Sequence, residues 1–144
     1  MIRRFGEAVQ PQRYVMRPGA YAILALGDSV LLTHQQDPEP EIQLPGGGID
    51  PGESAISALH REVMEETGWR IANPRRLGAF RRFTYMPEYN LWAEKVCQIF
   101  LARPVVRHGP PGEFGHTELW APITVAPELL VDEGARFFLK RAVL

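Results

Sequence analysis

The sequence predicts an α/β fold, a three-layer α/β/α sandwich around a mixed β-sheet. Three observations point that way. Short apolar runs bounded by Gly, Pro and Asp recur before residue 50 and again between 77 and 102. A helical period occupies 53–67, and a second amphipathic helical pattern closes the chain.

Taken in order, Ala20 to Leu26 (AYAILAL) and Ser29 to Thr33 flank Gly27-Asp28, which reads as two strands joined by a tight turn. Asp37-Pro38-Glu39-Pro40 is a loop, because proline offers no ladder donor and turns its predecessor away from helix. A short strand over Ile42 to Leu44 runs into the turn Pro45-Gly46-Gly47-Gly48. Ile56, Leu59 and Val63 then recur at three- and four-residue spacing, and Gly68 stands where a helix C-cap belongs. Leu77 to Tyr85 and Val96 to Ala102 read as strands, the second unbroken enough to be central. Arg107 to His116 is a Gly/Pro-rich loop, and Ala135, Phe138, Leu139 and Ala142 mark the closing helix.

The chain of 144 residues fits one domain, 1–144. A net charge of −1 argues against a nucleic-acid or membrane partner held by bulk electrostatics. An anionic ligand would need local cations or metal. Cys97 is the only cysteine, so neither an internal disulfide nor a thiolate metal cage can form, and its apolar surroundings read as core. No stretch approaches the roughly 20 apolar residues of a membrane span. The opening MIRRFGEAVQPQR lacks the apolar core of a signal peptide, so a soluble cytoplasmic protein is expected.

The chemistry concentrates in residues 47–69. On a helix at about 100° per residue, with Glu62 at zero, Glu66 falls near about 40° and Glu65 near about −60°, while Leu59 and Val63 lie at about 60° and 100°. The acidic patch therefore borders the buried stripe, and Glu66 almost intrudes on it. A solvated face would interleave lysines at i,i+4, whereas here the helix carries only Arg61 as a cation. Crowded carboxylates make sense around a hard divalent ion, which takes oxygen ligands and leaves positions for phosphate. A plain charged helix edge is the competing reading. The glycines Gly46 to Gly48 allow close backbone approach just before the helix. Glu53 and Arg61 read as architecture.

Gly47 to Trp69 resembles the Nudix box, G-x5-E-x7-R-E-U-x-E-E-x-G-U with U bulky and apolar, at every defined position: Gly47, Glu53, Arg61, Glu62, Val63, Glu65, Glu66, Gly68 and Trp69. The resemblance implies hydrolysis of a nucleoside diphosphate linked to another moiety, with Mg2+ or Mn2+. It implies Glu62, Glu65 and Glu66 as metal ligands, often joined by the Gly46 carbonyl, and it implies that the general base is a box glutamate or one from a later loop. Glu113 and Glu118 are the later candidates; His108 and His116 lie near them but read as solvated loop histidines. Arg17, Arg81 and Arg82 could contact phosphates, and Phe83, Tyr85, Tyr89 and Trp92 could stack on a base. Tyr85, 16 residues beyond Trp69, stands where the family's dinucleoside polyphosphate hydrolases tend to carry a tyrosine. The markers of the ADP-ribose and coenzyme A groups are not found. A dinucleoside polyphosphate, a nucleoside triphosphate and a nucleotide sugar all remain open as substrate. A nucleotide-sensing module, an isoprenoid diphosphate isomerase and an enzyme acting on RNA 5′ ends fit the intact glutamates, the lone Cys97 and the net charge less well. Many relatives dimerise, so a homodimer is an open expectation.

Overall fold

The computed structural model describes residues 2–8, 13–37 and 39–143. Pro38 of the predicted loop, and residues 1 and 9–12 of the opening segment, lie outside them. The predicted hairpin forms from β2 (Val15–Leu26) and β3 (Ser29–Gln35), with Gly27 at φ 60° in its turn. The two strands pair only at Ala25 with Val30 and Leu26 with Ser29, then part into two sheets. In the larger sheet, β2 lies between β5 (Gly46–Gly48), antiparallel to it, and β7 (Leu91–Arg107), parallel to it. Beyond β7 follow β6 (Trp69–Met86), antiparallel, and β1 (Arg3–Phe5), parallel to β6. In the smaller sheet β3 holds β4 (Glu41–Gln43) on one edge and β8 (His116–Pro122) on the other, both antiparallel.

Strand alternation sorts the core into two faces. Ala20, Ala22 and Leu24 of β2, with Phe100 and Ala102 of β7, pack against Leu59 and Val63 of α1 (Ala55–Thr67). Tyr21, Ile23, Cys97 and Ile99 face the other way, toward Ala126 of α2 (Ala126–Leu129) and Ala135 and Leu139 of α3 (Glu133–Val143). The result is the predicted sandwich around a mixed sheet. Full burial of Leu59, Val63 and Leu139 contributes roughly 1.5–3 kcal/mol each.

Several boundaries differ from expectation for local reasons. α1 begins at Ala55, because Ser54 is the N-cap and its Oγ accepts a bond from the Ser57 amide (3.1 Å). It ends as predicted at Gly68, φ 77°, whose N–H reaches the Met64 carbonyl. Its buried stripe is Ala58, Leu59, Val63, Glu66 and Thr67, whereas Ile56 stays 38% exposed. β6 starts eight residues earlier than its apolar run, since register shifts near Arg70/Ile71, Ala72/Arg75 and Arg76/Gly78 absorb Asn73-Pro74 without ending the strand. Gly46–Gly48 is a short strand rather than a turn, and β1, β8 and α2 were not anticipated. Cys97 is buried as expected, and burial pushes its thiol up to about 12. Among the described residues no helix is long and apolar enough to cross a membrane.

Candidate metal and substrate site

Arg61 organises the entrance to α1. Its guanidinium spans Glu53, with Nε to Oε2 at 2.9 Å and Nη2 to Oε1 at 2.8 Å, and Nη2 also donates to the Gly48 carbonyl (3.0 Å). Nη1 donates to Glu62 Oε1 at 2.8 Å and reaches Glu65 Oε2 at 3.4 Å. One planar fork thus ties the glycine strand, the segment before the helix and the helix itself. The hydrogen bonds from Arg61, then the Asp50 amide, hold the Glu53 carboxyl down at about 2, and Glu53 raises Arg61 above its ordinary value.

The other carboxylates are held differently. Glu66 is 5% exposed, and its Oε1 accepts the Gly46 amide at 3.1 Å. Burial pushes Glu66 well above the usual carboxylate range; the Gly46 bond opposes this, and the charges of Glu62, Glu113 and Glu65 reinforce it. Burial also raises Glu62, against the pull of Arg61. Gly47 packs so closely that a Cβ there would lie 2.5 Å from the Glu62 carboxyl carbon, so only glycine leaves that carboxylate its place. Gly46 meets the site through its amide, which donates to Glu66.

The loop 108–115 is fastened to the C-terminal end of α1. The His108 amide donates to the Gly68 carbonyl and the Glu113 amide to the Glu65 carbonyl, each at 2.8 Å. This brings Glu113 to the helix: oxygens of Glu62, Glu65 and Glu113 lie within 4.8 Å of one another, as do ligand atoms of Glu66, Glu113 and His116. Such oxygen donors around the cradle left by Gly47 suit a hard divalent ion that retains waters and accepts phosphate oxygens. Glu118 is not brought there. Its Oε1 accepts Arg107 Nε (2.6 Å) and its Oε2 accepts Trp69 Nε1 (2.9 Å), so both oxygens brace the ends of β6, β7 and β8.

Beside the carboxylates opens a cleft of about 320 Å3. Arg17 and Lys95, register partners on β2 and β7, line it together with Arg82 and Tyr89. The Arg17 guanidinium lies 4.9 Å from the centre of the Tyr89 ring. Arg82 also pairs with Asp132 (3.0 Å). Arg81 and Tyr85 do not line the cleft. Strand alternation sends Phe80, Arg82 and Met86 into it and the odd-numbered neighbours to the opposite face. There Arg81 meets Glu94 (3.4 Å), and Tyr85 donates to Asn90 Oδ1 (2.6 Å) against Trp92. Sequence reasoning missed Lys95, whose signal was a lone lysine beside an apolar run. It also set His116 aside as solvated, although its side chain is only 9% exposed.

Residues 15–141 match the family described as NUDIX domain. A Bacillus subtilis (strain 168) protein, provisionally assigned as an 8-oxo-dGTP diphosphatase, is 36% identical over 74 residues, 51% of this chain and 50% of that protein. An RNA pyrophosphohydrolase of Helicobacter pylori (strain G27) is 42% identical over 57 residues, 36% of this chain and 37% of the other. The chain thus spans half or less of the length of these curated relatives. Among solved structures, a MutT NUDIX hydrolase from Burkholderia pseudomallei superposes with a TM-score of 0.71 at 22% identity, covering 88% of this chain and 97% of that one. A NUDIX hydrolase from Nitrosomonas europaea gives 0.68 at 19%, covering 88% of each. These structural likenesses concern the fold.

Proposed function

The chain belongs to the NUDIX family, and from that premise we propose that it is a metal-dependent pyrophosphohydrolase of small nucleotides, cleaving a phosphoanhydride bond in a nucleoside diphosphate linked to another moiety. The observation that carries the proposal is the cradle at Gly47, which seats the Glu62 carboxylate beside Glu65, Glu66 and Glu113 next to a cation-lined cleft. Glu62, Glu65, Glu66 and Glu113 would hold Mg2+ or Mn2+. When bound, that ion lowers the pKa of a water and neutralises charge on phosphoryl oxygens. The protein's own part is positioning. Lys95 and Arg17 sit where a polyphosphate chain leaving the carboxylates would run, and Tyr89 with Arg17 offers a flat face for a base. Glu113, exposed on the loop 108–115, is the group best placed to orient or deprotonate a water.

The names of the relatives, a nucleotide diphosphatase and an RNA pyrophosphohydrolase, are consistent with phosphoanhydride chemistry and differ in substrate. The test is a panel of nucleoside triphosphates, nucleotide sugars, dinucleoside polyphosphates and 5′-triphosphorylated RNA with Mg2+ or Mn2+. Glu66→Gln, which keeps size and the acceptor for Gly46, should lower turnover at least about a hundredfold, since several kcal/mol of stabilisation pass through that carboxylate. Undiminished turnover in Glu66→Gln, or silence of the wild type across the panel, would overturn the proposal.

A further inference from the structure

His116 opens β8, directly after the loop that carries Glu113. Its Nδ1 lies 3.2 Å from the Oγ1 of Thr33, a residue with no solvent exposure, and 3.8 Å from Glu66 Oε2. Its Nε2 lies 3.7 Å from Glu113 Oε2. A histidine that binds a cation through one ring nitrogen commonly gives its other N–H to a fixed acceptor, which sets tautomer and ring orientation. Thr33 is such an acceptor: buried, held in the β3 ladder, and 83 residues away in sequence. With Nδ1 occupied by Thr33, the Nε2 lone pair is left toward Glu113.

The acidic cluster is therefore not uniform. Glu62, Glu65 and Glu113 offer only oxygen, whereas Glu66, Glu113 and His116 add a nitrogen. Oxygen-only sets favour Mg2+, and imidazole shifts preference toward first-row transition ions. Resting on the functional reading above, we infer that the site has two unlike subsites sharing Glu113, and that the Glu66–Glu113–His116 subsite takes a first-row transition dication in preference to Mg2+. Thr33 is a positioning residue for that subsite, acting through the His116 ring.

The experiment titrates the metal-free full chain with Co2+, followed by visible d–d absorption, and in parallel with Mg2+ by calorimetry. The expected result is that His116→Ala weakens Co2+ binding about tenfold or more and alters the ligand-field band, while Mg2+ affinity changes far less. Thr33→Val, which keeps shape and removes the acceptor, should weaken Co2+ in the same direction and leave Mg2+ nearly untouched. His116→Gln, an uncharged replacement that retains polar atoms, guards against a folding defect, with circular dichroism as the check. Equal losses for both ions in all three variants would assign His116 a merely structural role, and no loss in any would remove it from the site. Either outcome overturns the inference. If the wild type hydrolyses nucleotides with Mg2+ but His116 does not discriminate the ions, the inference alone fails. His116-dependent Co2+ binding in a chain silent on the substrate panel would instead uphold the inference and sink the functional reading.

Discussion

Two carboxylates 13 residues apart, Glu53 and Glu66, show how position decides chemistry. Glu53 is held by Arg61 down at about 2 from an ordinary 4.5, so its contribution to stability is present above pH 4.5 and is lost as pH falls toward 2. Glu66 has the opposite sign: burial raises it, so it favours the metal-free fold in acid and disfavours it as pH rises through the raised value. The difference in urea midpoint between wild type and Glu53→Gln should be constant above pH 4.5 and close between 4.5 and 2. A difference that persists unchanged at pH 2 would show that Arg61 does not hold Glu53 this way. Gly47 supplies a second residue-scale prediction. Its φ lies outside the left-handed region, and the atoms nearest a Cβ there are the carboxylate end of the Glu62 side chain. The carboxylate must move while the fold need not. Gly47→Ala should stay within about 1 kcal/mol of wild-type stability, the scale of an ordinary substitution, and lose most turnover. Retained turnover would mean that the cradle does not fix Glu62. Gly46 is different, because a Cβ there would lie 2.2 Å from the Ala20 carbonyl oxygen, and its replacement should fail at folding.

Between elements, the decisive joint is the one from α1 to the loop 108–115. Gly68 is left-handed at φ 77°, and a Cβ there would lie 1.9 Å from the Gly109 carbonyl oxygen, a backbone atom with little freedom. Gly68→Ala should cost at least about 1–2 kcal/mol for the conformation alone. It should also weaken Mg2+ binding, because the displaced loop carries Glu113; calorimetry showing unchanged affinity would mean that the loop's seat does not reach the site. α1 was legible because both ends are written locally, in Ser54 and Gly68, and because its period is regular. β6 and β8 were not. A strand that runs through Asn73-Pro74 on register shifts has no local signature, and β8 exists only through its pairing with β3. The same distinction governs the site. Glu62, Glu65 and Glu66 share one helix and could be projected from spacing. Glu113 could be named only as one of two loop glutamates, Lys95 depends on strand register, and the burial of His116 depends on Thr33 far away in the chain.

At the scale of the whole molecule, the carboxylates connect parts that covalent order keeps far apart. Cations in the Glu62–Glu65–Glu113 and Glu66–Glu113–His116 groups would link α1, the strand that meets Glu66 through Gly46, and the loop leading into β8, which joins the larger sheet to the smaller. Without them, four carboxyl groups share a small volume, two of them largely withdrawn from water. Ligand bound to the native state alone stabilises it by mass action, about 2.7 kcal/mol at a concentration one hundred times Kd. For a chain of this length that corresponds to a rise in Tm on the order of 10 °C. Scanning calorimetry with Mg2+ or Mn2+, reversed by chelator, should show this in the wild type and in Glu118→Gln, whose carboxylate braces strand ends away from the cluster. Glu113→Gln, which removes the carboxylate common to both groups, should respond by only a small fraction of it. An equal rise in Glu113→Gln would locate the ion elsewhere, and a response lost in Glu118→Gln would return that glutamate to the site from which its bonds to Trp69 and Arg107 remove it.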